Sequence, residues 1–207
     1  MTYSVIILVF IILSAMAHAN QLPAAQLLEE EKYFEIAMRF QAAGDYSSSN
    51  EYLEKDGSDS ALAQIAYNHF VLKQYGESLY YYKISLDAGY PPYKAYLGIA
   101  NVYSRSGEPG KAKQFYENAK TLATEEYYYR VINDYAEHFA TLGFRQKAIS
   151  LYKEALSNIK CSHINHCKGL IHMNIAIEYD LKGDTASATH YYTSWRRLYD
   201  ITITTCI

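Results

Sequence analysis

The chain has 207 residues, 22 Asp and Glu against 19 Lys and Arg for a formal net charge of −3, and half of its residues are hydrophobic. This near-balance, with no run of Lys or Arg, excludes nucleic acid and anionic membrane surfaces as partners. Only four prolines and ten glycines occur, and no low-complexity linker divides the part after residue 19, which argues for one domain. No Gly-rich phosphate loop, nucleophile elbow or H-E-x-x-H zinc helix is present, and adjacent carboxylates such as Glu125 and Glu126 read as solvated helix starts. No enzyme and no cofactor are expected.

The first nineteen residues stand apart. Val5 to Leu13 is an unbroken apolar run, and Ala17-His18-Ala19 follows as a small-x-small cleavage site before Asn20. The stretch is short for a bilayer span, which needs about 20 apolar residues. Residues 1–19 therefore read as a secretory signal peptide, although no Lys or Arg precedes the apolar run; the alternative is an uncleaved anchor. Cleavage would leave a mature chain beginning at Asn20, with no further membrane contact.

Residues 28–57 form a first helical pair, with Ala37, Phe40, Gly44, Ser49 and Leu53 facing inward and Asp56 closing the series. Pro23 suits the first turn of the leading helix, and Asp45 is placed to cap the second. A second pair, residues 60–88, carries Ala66, Ser78, Tyr82 and Ser85, but offers His69 and Lys73 where an aromatic and a glycine are due. Its turn at Lys73 to Gly76 is expected to be irregular. Gly89-Tyr90-Pro91-Pro92 then stops the helix.

Residues 93–123 give the full series Ala100, Tyr103, Gly107, Ala112, Tyr116 and Ala119, with Pro109 at a helix start. Residues 129–160 repeat it as Ala136, Phe139, Gly143, Ala148, Tyr152 and Ala155. Residues 168–199 repeat it again as Ala176, Tyr179, Gly183, Ala188, Tyr192 and Trp195. The recurrence has a packing reason. A small residue lets antiparallel helices approach, an aromatic fills the space beside it, and glycine allows the left-handed turn that ends the first helix. The leading alanines, 37, 66, 100, 136 and 176, step by 29, 34, 36 and 40 residues, so the loops lengthen along the chain. The tail, residues 200–207, carries the stretch ITITTCI from Ile201, rich in β-branched side chains, and is expected to lie loosely or against the last helix.

This ladder resembles the tetratricopeptide (TPR) repeat, a helical pair of about thirty-four residues. The context DAGYPPYKAYLGIANVY, residues 87–103, also resembles the related Sel1-like repeat. The resemblance covers residues 28 to 199. It implies an all-α fold, a right-handed α-solenoid of about five antiparallel helix pairs, that works by holding a protein or peptide in a concave groove. In this family the first helix of each repeat lines that groove. Mapped onto this chain, the groove positions are Tyr67, Phe70, Asn101, Arg105, Arg130, Asn133, Glu137 and Asn174. Amides grip a peptide backbone in both directions and guanidinium grips carboxylates. The carboxylate clamp of some TPR proteins does not carry over. Asn101 matches one of its asparagines, but Leu97, Asp134 and Leu170 replace others.

With the signal peptide, the resemblance implies an exported scaffold, set in the periplasm as an adaptor or assembly factor for envelope, secretion or pilus machinery. The alternative is a Sel1-like protein secreted to act outside the cell. A different class of reading rests on Cys161, His163, His166 and Cys167, which place four soft-metal ligands in seven residues. That spacing matches no standard zinc motif and is tight for a tetrahedral site. In an oxidising compartment a Cys161–Cys167 disulfide is the preferred reading, unpaired thiols and a metal- or redox-active loop being the others. Cys206 is left as the odd cysteine.

Overall fold

The computed structural model describes residues 32–160 and 164–205, the last six as backbone helix alone. The expected signal peptide, Pro23, Cys161, His163 and Cys206 lie outside the described residues. Among the described residues every regular element is a helix: α1 (residues 32–42), α2 (Tyr46–Asp56), α3 (Asp59–Val71), α4 (Tyr75–Asp87), α5 (Pro92–Arg105), α6 (Pro109–Leu122), α7 (Glu125–Thr141), α8 (Arg145–Ser157), α9 (Ile164–Leu181) and α10 (Thr185–Thr205). None of these helices is long and apolar enough to cross a membrane.

The described residues divide into two compact units, one up to residue 88 and one from residue 89. In the first, α3 packs against both α2 and α4, around a core of Ala37, Leu53, Ala61 and Ile65. In the second, α5 pairs with α6, α7 with α8, and α9 with α10. There α6 also meets α7, α8 meets α9, and the first helices α5 and α7 touch one another. This is the repeating helical-pair arrangement of an α-solenoid.

The leading alanines explain the close packing. Ala37, Ala66, Ala100, Ala136 and Ala176 are all wholly buried, as are Ala112, Ala119, Ala148 and Ala155. In the first unit serine does the same work: Ser49, Ser78 and Ser85 are wholly buried, and the hydroxyls of Ser78 and Ser85 donate to the carbonyls of Ala66 and Tyr82. A serine that returns its hydrogen bond to a backbone carbonyl is as compact as alanine and leaves no orphaned donor. Helix starts follow the sequence. Asp45 caps α2 by accepting from the Ser48 backbone N–H, and Pro92 and Pro109 open α5 and α6.

Three expectations are corrected. The turn at Lys73 is not irregular. Lys73 takes a left-handed backbone, φ 61°, where Gly44, Gly107, Gly143 and Gly183 take φ values of 81°, 82°, 80° and 79°. The next backbone N–H then donates to the same carbonyl in all five turns, those of Phe40, His69, Tyr103, Phe139 and Tyr179, at 2.9–3.0 Å. His69 also fills the aromatic position, its ring stacked 5.3 Å from Tyr81, just as Phe40 stacks on Tyr52, Tyr103 on Phe115 and Tyr179 on Tyr191. Packing across the pair selects the turn, and lysine bears the cost of a left-handed residue, about 1–2 kcal/mol. Lys73→Gly is expected to raise stability by about 0.5–1 kcal/mol, the relief being partly offset by the freer unfolded chain. A shift of the urea midpoint at constant slope measures it; no shift, or a fall, would show that the lysine is unstrained.

The second correction is at the Cys/His segment. α9 begins at Ile164, ahead of the expected repeat start, so His166 and Cys167 belong to the first turns of a helix and not to a loop. Cys167 packs against the core of the second unit, and burying it there extends the helix N-terminally. The third is the tail: α10 runs on to Thr205, so residues 200–205 continue the last helix.

Candidate protein-binding face

The first helices of the second unit, α5, α7 and α9, bring the expected polar positions together. The Tyr116 hydroxyl, from α6, donates to Asn101 Oδ1 at 2.5 Å. Asn101 Nδ2 donates to Asp134 Oδ2 at 3.2 Å, crossing from α5 to α7. Asn133 Nδ2 donates to the other oxygen of the same carboxylate at 3.3 Å, and its own Oδ1 accepts from Asn174 Nδ2 at 3.2 Å, crossing from α7 to α9. Asn101, Asn133 and Asn174 thus form one continuous polar ladder over three repeats. Its centre is Asp134, a residue the sequence marks only as a departure from a known clamp.

The ladder is ordered but not exhausted. A carboxamide has two donor hydrogens and two acceptor lone pairs, and each of these bonds uses one. Burial holds the Asp134 carboxyl above the ordinary carboxylate range, against the two amide bonds and the Arg130 charge that pull it down. Partial burial and the charge of Asp134 raise Glu137 in the same way, opposed by Arg105. Arg105 and Glu137 meet at 3.5 Å with both side chains more than half exposed, a geometry worth little to stability. Arg130 is exposed, its guanidinium 5.6 Å from the centre of the Tyr127 ring, and Lys94 lies 5.2 Å from the same ring. An aromatic face keeps a cation in place without neutralising it.

Tyr67 and Phe70 belong to the first unit. They lie on α3 with ring centres 6.4 Å apart; Tyr67 is 43% exposed, and Phe70 also meets Tyr75 at 6.4 Å. Of the Cys/His group, only His166 and Cys167 are described, and Cys167 Sγ lies 3.4 Å from the Tyr129 hydroxyl. Among the described residues no three His, Cys, Asp or Glu side chains are grouped to hold a metal.

Sequence reasoning missed a set of buried polar residues two positions after the leading alanine. Asn68 is wholly buried, accepting from Gln41 at 3.0 Å and donating to Ser49 and Asn50. His138 is 3% exposed and shares a 2.8 Å hydrogen bond through Nδ1 with Ser104 of α5. Glu178 is 5% exposed and accepts from Arg145 at 3.2 Å. Each ties its helix to an earlier element. The signal was available, because Asn68, His138 and Glu178 share one ladder position; Val102 alone obeys the apolar rule there.

No protein-family model matches the sequence, and no curated protein is similar to it. Solved structures are similar in fold. BtubC from P. vanneervenii superposes with a TM-score of 0.71 at 14% identity, over 91% of this chain and 87% of its own. MamA from Desulfovibrio magneticus RS-1 gives 0.58 at 15% identity, over 83% and 95%. YrrB, described as a TPR protein with an unusual peptide-binding site, gives 0.51 at 14% identity, over 80% and 84%.

Proposed function

We propose that this chain, a TPR-like repeat protein by fold, is an exported, non-enzymatic scaffold. It would hold an extended segment of another protein across α5, α7 and α9. The observation that carries the reading is the ladder of Asn101, Asn133 and Asn174 about Asp134, flanked by the exposed Arg105 and Arg130. Amides in register with a helical repeat present donors and acceptors at a spacing that suits peptide backbone, and the flanking guanidiniums suit its carboxylates. The peptide-binding site of YrrB gives the same fold a comparable use. Capture of partners from the source cell by the mature protein tests the reading directly, with the Arg130→Ala, Asn133→Ala double variant as the comparison.

Export rests on the apolar run Val5 to Leu13 and the Ala17-His18-Ala19 site. A Cys161–Cys167 disulfide belongs to the same proposal, since an oxidising compartment favours pairing of two cysteines so close along the chain. We place the protein in the periplasm, as an adaptor or assembly factor for envelope, secretion or pilus machinery. Amino-terminal sequencing of the exported protein is expected to begin at Asn20. A sequence beginning at Met1 would replace cleavage with an anchor.

A further inference from the structure

The last helical pair contains a half-buried histidine that the binding face does not use. His172, on α9, lies against Tyr191 of α10, ring centres 5.5 Å apart, and its Nδ1 is buried with no hydrogen-bond partner among the described residues. The Tyr191 ring is crowded on its other sides. Tyr179 stacks on it at 5.7 Å, His190 meets it edge-on at 5.2 Å, and Lys153 of α8 places its ammonium 5.8 Å from its centre. The ionisable groups whose charges bear on His172 are basic: Lys168 on its own helix, and His190 and Arg197 on α10. Lys153, from α8, is the charge beyond Tyr191.

A neutral imidazole with its proton on Nε2 fits this place, because a bare Nδ1 needs only modest compensation. An imidazolium does not fit. Both nitrogens become donors, so a buried N–H would point at no acceptor, beside like charges. We propose that His172 makes the α9–α10 pair an acid-sensitive joint: protonation of its ring drives the two helices apart.

The direction follows from linkage. Burial, then the charges of His190, Lys168 and Arg197, lower the affinity of His172 for a proton in the closed pair. The open pair takes up a proton near the ordinary histidine value of about 6.5. The closed pair is therefore fully favoured above about pH 6.5 and loses its advantage as pH falls below it, by up to about tenfold in the opening constant per pH unit. His138 is also lowered by burial, but it lies on α7, and a method that resolves position separates the two.

The test is hydrogen–deuterium exchange on the whole purified chain at pH 7.5 and 5.5, corrected for the intrinsic pH dependence of exchange. Peptides from α9 and α10 are expected to lose protection at pH 5.5 by about threefold or more, and His172→Phe, which keeps the ring and removes the proton site, is expected to abolish that loss. Unchanged protection in the parent, or a loss that persists in His172→Phe, overturns the proposal. Should the variant fail to fold, the NMR titration of the His172 ring in the parent decides. A midpoint below the ordinary histidine value is expected, and one at or above it overturns the proposal.

Discussion

Replacing Ala136 with leucine is expected to destabilise the second unit by about 1–3 kcal/mol. Ala136 is wholly buried on α7, in one core with Ala148, Tyr152 and Ala155 of α8 and with Ile171 and Ile175 of α9. Three added carbons at such a crossing have no space to enter. Tyr135 beside it is stacked 4.9 Å from Tyr116, and Phe139 one turn on is held by Tyr135 at 5.0 Å. The strain must therefore appear as off-rotamer side chains or as separation of α7 from α8. Urea unfolding measures it. A change within about 0.5 kcal/mol, the range of ordinary surface positions, would mean that the crossing is looser than these contacts imply.

The alanine ladder was legible because close helix packing tolerates few residue types at a crossing, so the constraint is written directly into residue size. Where the constraint is on backbone shape, the sequence misleads. Lys73 reads as a broken turn, yet α3 and α4 are held by the His69–Tyr81 stack and by the Ser78 bond to Ala66, and the lysine adopts the glycine conformation under that pressure. The stacked partners Tyr52, Tyr81, Phe115 and Tyr191 each precede the second-helix ladder residue, a regularity hidden by the abundance of tyrosine in this chain. At the candidate binding face, the named positions Asn101, Asn133 and Asn174 do converge. Their organiser does not announce itself. Asp134 is recognisable only when α5 and α7 are set side by side, because its two amide partners lie on different helices.

The joint change Arg130→Ala and Asn133→Ala is expected to weaken partner binding by at least about 2 kcal/mol, the loss that follows truncation of a buried interface anchor. The two residues act differently. Arg130 is exposed over the Tyr127 ring with its charge available. Asn133 links Asp134 to Asn174, so its removal also frees the Asn174 amide and leaves Asp134 with the Asn101 bond. Folding is expected to change as well, so it is measured alongside binding. Arg130 contributes an exposed cation–π contact, about 0.5–1 kcal/mol; of the Asn133 bonds, the 3.2 Å one from the Asn174 amide is about 0.5–1.5 kcal/mol and the 3.3 Å one to the Asp134 carboxylate is at most about 3 kcal/mol. Titration of the captured partner into parent and double variant, with urea unfolding of both, separates the two effects. A variant that folds and binds like the parent would remove α5, α7 and α9 as the binding face. A variant that loses binding only in proportion to lost stability would assign these residues to the fold instead. The supporting result is a folded protein with a selective loss. It would also point to Asp134, the carboxylate to which both Asn101 and Asn133 donate in the parent, as the organiser of that face.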